Sequence, residues 1–110
     1  MKRKPATRRS MARFRLSVRA AADMDGIADY TILKFGIQQA RRYRDGLENA
    51  FQMLAEDRLR SRTAEELTPH LRRANYESHV IFFMRDKAGI FIVRILHQRM
   101  EFERHTITGD

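Results

Sequence analysis

The chain has 110 residues, with 22 Lys and Arg against 14 Asp and Glu, a formal net charge of +8. One domain fits that length, and 43% hydrophobic residues suffice for one modest core. The absence of cysteine excludes disulfides, thiolate zinc sites, iron–sulfur clusters and a cysteine nucleophile. No run approaches the ~18 apolar residues of a membrane helix, and no apolar region follows the basic N-terminus as in a secretory signal. A cytoplasmic protein with no membrane partner is the expectation.

The charge is unevenly spread. Residues 1–10 hold five basic side chains (Lys2, Arg3, Lys4, Arg8, Arg9) and no acid. Residues 11–110 keep seventeen basic and fourteen acidic groups, close to balance. A block of like charge without apolar residues buries nothing to offset its ordering entropy, so residues 1–11 are expected to form a flexible tail. Met11 directly precedes the first patterned segment and is a candidate alternative start. The expected domain spans 12–106, with a short C-terminal tail over 107–110.

The first element is a strand. Between Ala12 and Val18 the residues alternate, with Phe14, Leu16 and Val18 on one face and Arg13, Arg15 and Ser17 on the other. That alternation turns Ser17 toward solvent, with no acid–base partner near it in sequence.

From Arg19 the period becomes helical. Ala21, Met24, Ile27, Ala28, Thr31 and Phe35 form one stripe over residues 19–35, with Asp23 and Asp25 early and Lys34 late, as the helix dipole favours. Gly36 reads as a left-handed stop. A second helix over 38–55 carries Ala40, Tyr43, Leu47, Ala50, Phe51 and Leu54 on its stripe. So short a connection makes the pair an antiparallel hairpin. Gly46, inside the second helix, suggests close approach to the first.

Residues 56–70 lose the stripe. Pro69 ends any helix there, Thr63–Glu66 resembles a capping box, and the segment reads as a loop with one possible helical turn. Arg58, Arg60 and Arg62 read as solvated loop residues that also suit a polyanion. Strands then follow: Leu71–Ala74, a turn over Asn75–Ser78, the apolar run His79–Arg85, a Gly-containing hairpin at Asp86–Gly89, and Ile90–Leu96. The expected class is α+β: an N-terminal strand, a helical hairpin, then a C-terminal antiparallel sheet, in the order β-α-α-β-β-β. Two helices cover one sheet face. Apolar residues on both faces of the last strands leave the other face short of cover, which points to a partner.

The layout and several strings resemble the RelE/ParE superfamily of type II toxin–antitoxin toxins, and its ParE branch most closely. The residues carrying the resemblance are Phe14–Ser17, Ala22–Thr31, Phe35-Gly36, Ala40–Tyr43, Leu47, Leu71–Arg73, Ser78–Phe83, Ile92–Met100 and Glu103–His105. It covers about residues 12–106. It implies a helical hairpin on a curved antiparallel sheet and a cognate, ParD-like antitoxin whose C-terminal segment wraps the toxin and whose N-terminal part binds DNA. It implies a toxin–antitoxin hetero-oligomer that meets DNA only through the antitoxin. The ParE branch implies inhibition of DNA gyrase by binding, without chemistry of the toxin's own. The RelE branch implies ribosome-dependent mRNA cleavage.

Cleavage through a 2′-hydroxyl needs a base, an acid and cations for the developing charge. The candidates are Arg72, Arg73, Arg94, His97, Arg99 and His105, with Arg72, Arg94 and His97 the set for a RelE-like reading. Arg94 and His97 lie three apart on a strand and start on opposite faces, and Arg94 also reads as an ordinary strand arginine paired with an acid. His70 and His79 have no ligand spacing, so no metal is expected, and no cofactor. The balanced charge of residues 11–110 and the lack of a convergent set favour gyrase binding. The target-binding candidates are His97, Arg99, Met100, Phe102 and Arg104, which mix basic and apolar groups past the last strand.

Overall fold

A computed structural model describes residues 12–100. Its elements are β1 (Arg13–Leu16), α1 (Val18–Phe35), α2 (Ile37–Ala55), β2 (Arg62–Thr63), β3 (Arg72–Tyr76), β4 (His79–Asp86) and β5 (Gly89–His97). The five strands form one sheet in the order β1-β5-β4-β3-β2. The expected strand, helical hairpin and C-terminal strands are all present, with β2 added inside the expected loop. Strands β2 to β5 pair antiparallel. Strand β1 instead runs parallel to β5, Arg13 opposite Gly89 and Leu16 opposite Ile92, so the sheet is mixed. A parallel pair needs a long crossover, and the two helices between β1 and β5 supply it.

Strand β1 stops two residues short of the alternation in the sequence. Ser17 is buried, not solvent-facing. Its hydroxyl accepts the Ala20 N–H at 2.9 Å as the N-cap of α1 and donates to the Val93 carbonyl at 2.7 Å, so one side chain starts the helix and ties it to β5. Val18 consequently begins the helix and is exposed. At the other end of α1, a single residue makes the connection to α2. Gly36 takes a φ of 91° with an extended ψ of 168°, so it is not the expected left-handed stop, though its N–H still closes on Ile32 O at 2.9 Å.

The main core lies between the helices and the sheet. Ala20 and Met24 of α1, Leu47, Ala50, Phe51 and Leu54 of α2, and Ile81, Phe83, Ile90, Ile92 and Ile95 of the sheet meet there. Gly46 is explained by the sheet rather than by α1: a Cβ there would sit 1.7 Å from the Tyr76 hydroxyl. Gly46→Ala is therefore expected to cost about 1 kcal/mol net, because displacing the Tyr76 ring outweighs the better helix propensity. Adding Tyr76→Leu should remove that loss, as read by thermal unfolding.

The opposite sheet face is not left bare. Ala64 and Leu71 join Val80, Phe82, Val93 and Leu96 in a second cluster, with Leu67 packed against it. Scattered apolar residues of the 56–71 segment do this without any periodicity, which is why the sequence reads as a loop. Within it, Leu67 N–H closes a turn on Ala64 O at 3.0 Å. His70 after Pro69 takes a positive φ of 66°. Apart from Val18 and Met100, the exposed large apolar residues lie elsewhere, at the tip of the helical hairpin: Tyr30, Ile32, Leu33, Phe35 and Ile37. Phe35, expected in the core stripe, is 67% exposed.

Candidate functional site

A one-residue irregularity in the β4–β5 hairpin organises the site. Counting from the turn, where Asp86 faces Gly89, an unbroken hairpin would set His79 opposite Leu96. The register shifts between Phe82 and Phe83, leaving Val93 as an extra residue, and His79 then faces His97. The same bulge resets the phase of β5. Ile90 and Ile92 pack on the helix side and so does Ile95, an odd step from Ile92. His97, two residues further, shares that side.

His79 and His97 form the floor of a cleft of about 540 Å³ between the sheet and the helices. Ile27, Tyr30 and Phe35 give its apolar walls, and Tyr43 and Ser78 add polar groups. The Tyr43 hydroxyl lies 2.7 Å from His79 Nδ1 and 3.4 Å from the Tyr76 carbonyl. The His79 and His97 rings meet edge to face at 5.4 Å. Burial pushes the Tyr43 phenol above its ordinary range, so it keeps its proton. Burial, and then the neighbouring His97, hold His79 below its ordinary value of 6.5, with Asp23 opposing. The Tyr43 O–H donates to the Tyr76 carbonyl, and the direction of its contact with His79 Nδ1 follows the tautomer of that imidazole. Arg99 N–H donates to His97 Nδ1 at 3.1 Å, so a neutral His97 carries its proton on Nε2. Neutral His97 thus offers a donor, not an accepting lone pair, at that nitrogen.

This arrangement has a pH consequence. The unfolded chain protonates His79 near 6.5, and the folded one only at lower pH. Stability is therefore full above pH 6.5 and falls as pH drops toward the folded value. His79→Gln should flatten unfolding free energy against pH in that window.

Arg94 is held elsewhere. Strand β1 ends opposite Ile92, and beyond it Asp23 of α1 takes over the open edge of β5. Its carboxylate accepts Arg94 Nε at 2.8 Å, Arg94 Nη2 at 3.0 Å and the Ile95 backbone N–H at 2.9 Å. The carboxylate raises the Arg94 guanidinium further above its ordinary range. Arg94 is thus paired with an acid, one of the two expectations for it. Arg72 lies on β3, two strands from β5, with Nε on Ser61 Oγ at 2.9 Å. The three residues of a RelE-like set are therefore not gathered at one point. Arg73 stands over the Phe82 ring at 5.7 Å. Arg99 and Met100 follow β5 on the surface, whereas Phe102, Arg104 and His105 lie outside the described residues, as does the 1–11 tail. Sequence reasoning missed Tyr43 and His79 as site residues, and Asp23 as the partner of Arg94. The helical spacing that brings Ile27 and Thr31 to one wall was legible, but the cross-strand facing of the histidines depends on the bulge. Among the described residues, no helix is long and apolar enough to cross a membrane.

Comparisons with known proteins agree with this architecture. Residues 14–102 match the family model described as the ParE toxin of the type II toxin–antitoxin system, parDE. The toxin ParE1 of Caulobacter vibrioides is 37% identical over 86% of this chain and 98% of its own length. The toxin ParE1 of Mycobacterium tuberculosis is 34% identical over 86% of this chain and 97% of its own. The toxin ParE of Escherichia coli is 38% identical over 83% of this chain and 89% of its own. In fold, the chain is similar to a structure of the chromosomal ParDE TA system from P. aeruginosa, with a TM-score of 0.66 at 23% identity over 80% of this chain and 97% of that one. The family-model match over residues 14–102, together with the 34–38% identities to these toxins, makes this chain a member of the ParE toxin family of type II toxin–antitoxin systems.

Proposed function

We propose that a cognate ParD-like antitoxin neutralises this toxin by docking on the hairpin tip and in the Tyr43–His79–His97 cleft, and that the free toxin inhibits DNA gyrase by binding it in the cytoplasm. The observation that carries the antitoxin reading is the apolar tip beside the cleft. Tyr30 and Phe35 belong to both, so one amphipathic segment can cover the tip and insert a side chain between the helices and β5. The printed description of the structural relative as a ParDE system supports the same pairing.

Binding without chemistry is supported by how the candidate groups are used. Arg94 is paired with Asp23, Arg72 bonds Ser61, and His97 Nδ1 already accepts the Arg99 N–H. The target-binding candidates remain His97 at the end of β5 and the segment after it, with Arg99 and Met100 at its start and Phe102 and Arg104 beyond the described residues. It mixes cationic and apolar groups, as interface centres do.

Purified toxin should inhibit gyrase supercoiling and leave ribosome-programmed mRNA intact. Arg99→Ala with Met100→Ala should weaken that inhibition at least tenfold while the thermal midpoint stays within about 2 °C, since both side chains are exposed. Cleavage of mRNA that stops in His97→Ala or Arg94→Ala, with supercoiling untouched, would overturn the proposal.

A further inference from the structure

Four rings stand in file from β3 into the cleft beside the hairpin tip. Tyr76, Tyr43, His79 and His97 meet edge to face in turn, at 5.3, 5.5 and 5.4 Å. The two imidazoles occupy facing positions of β4 and β5, and both are half-buried. Among the described residues, no carboxylate and no Lys or Arg lines this cleft. The charged and titratable groups around it are turned to other uses. On α1, the Asp23 carboxylate favours a charged His79 but already accepts Arg94 Nε, Arg94 Nη2 and the Ile95 N–H. Lys34 of the same helix stands over the Tyr30 ring at 6.0 Å. On α2, Tyr43 keeps its proton. In the β3–β4 turn, Glu77 acts on Tyr43 and Tyr76. After β5, Arg99 gives its backbone N–H to His97 Nδ1. A proton added to His79 therefore meets no carboxylate inside the cleft, and a proton on each imidazole sets like charges side by side.

We propose that the antitoxin, docked as argued above, seats an uncharged apolar side chain on the His79–His97 pair, and that acidification therefore loosens its hold. The lining selects that chemistry. Ile27, Tyr30 and Phe35 give an apolar side chain its contact area, whereas an acidic one would find no Lys or Arg to pair with. An apolar occupant drives water from both rings. An imidazolium beneath it loses hydration and gains no counter-charge. Burial, and then His97, already hold His79 toward its neutral form against the pull of Asp23, and occupancy strengthens the first of these. The sign follows. At pH well above 6.5 His79 is neutral in the free and the bound toxin, and its protonation costs no affinity. Below the midpoint of the free toxin, binding must expel a proton. Affinity then falls by about tenfold per pH unit for each proton expelled.

The test is titration calorimetry of the full chain with its full-length ParD-like antitoxin from about pH 8 to about pH 5, in buffers of different ionisation enthalpy, over the range in which circular dichroism shows the toxin folded. Affinity should fall at least about fivefold across that range, with protons released on binding near its acid end. His79→Gln with His97→Gln should abolish both effects, and His97→Gln alone should reduce them if the double variant unfolds. His70→Asn, at an exposed position outside the cleft, should retain them. An affinity independent of pH would overturn the proposal and leave antitoxin docking standing. Tighter binding with proton uptake on acidification, the mark of an acidic occupant, would do the same, as would a pH dependence that survives in the double variant. An absence of binding even at about pH 8 would refute the docking itself, and this proposal with it.

Discussion

Replacing Leu33 and Phe35 by glutamate will lower the affinity of the toxin for its antitoxin by at least about a hundredfold, measured by titration calorimetry or loss of co-purification. Leu33 is 84% and Phe35 67% exposed at the hairpin tip, so neither change removes a core contact. Substitutions at such positions shift folding stability by only about 0.5 kcal/mol. At an interface the same side chains are apolar anchors, and losing one central anchor costs about 2 kcal/mol or more. Two lost anchors, each replaced by a charge facing an apolar partner surface, multiply to the expected factor. Full antitoxin affinity in this variant, with an unchanged fold, would remove the docking surface argued above. Gyrase inhibition by the same variant should persist, because the surface after β5 is untouched, and the variant should escape neutralisation.

Asp23→Ala is expected to destabilise the fold by about 3–5 kcal/mol. Asp23 and Arg94 side chains are each only 14% exposed, and the pair is bidentate. Removing the carboxylate takes the bidentate acceptor away from a guanidinium in a partly dry site and leaves the Ile95 N–H without its acceptor. Domains of this size have only about 5–15 kcal/mol in all. The thermal midpoint should fall by more than about 10 °C. Arg94→Met added to Asp23→Leu should recover part of the loss, since both charges of the pair are then removed together. Recovery should stay incomplete, because the Ile95 N–H still lacks its acceptor. A midpoint unchanged in Asp23→Ala would mean that the pair contributes no more than a surface ion pair.

Much of this protein is legible in its residues. The stripe of Ala40, Tyr43, Leu47, Ala50, Phe51 and Leu54 marks α2 and its buried face, and all six are buried or half-buried in the structure. The apolar run from His79 and its return after Gly89 mark β4 and β5. Gly89 itself has a φ of 144°, and a Cβ there would collide with the Arg13 carbonyl at 1.9 Å. That glycine serves the turn, as the sequence indicates, and also the close passage of β1, which the sequence does not reveal. The ordered strings from Phe14 to Met100 identify the family, because fold and family follow from the pattern of many residues together.

What the residues alone left undecided are relations between elements distant in the chain. Alternation says which side chains of β1 face inward, but not that β1 pairs parallel to β5. Hydrogen bonding between strands is indifferent to side-chain type, so direction and partner come from the path of the helices. Ser17 looks solvent-facing by period, yet the chain turns into α1 there and the hydroxyl is spent on Ala20 and Val93. The bulge at Val93 leaves no mark in hydropathy, since Val93 is as apolar as its neighbours. It alone sets His79 opposite His97 and builds the floor of the cleft. Periodicity encodes how one element faces its surroundings. Which groups of different elements meet is set by packing, and only the tertiary structure decides it.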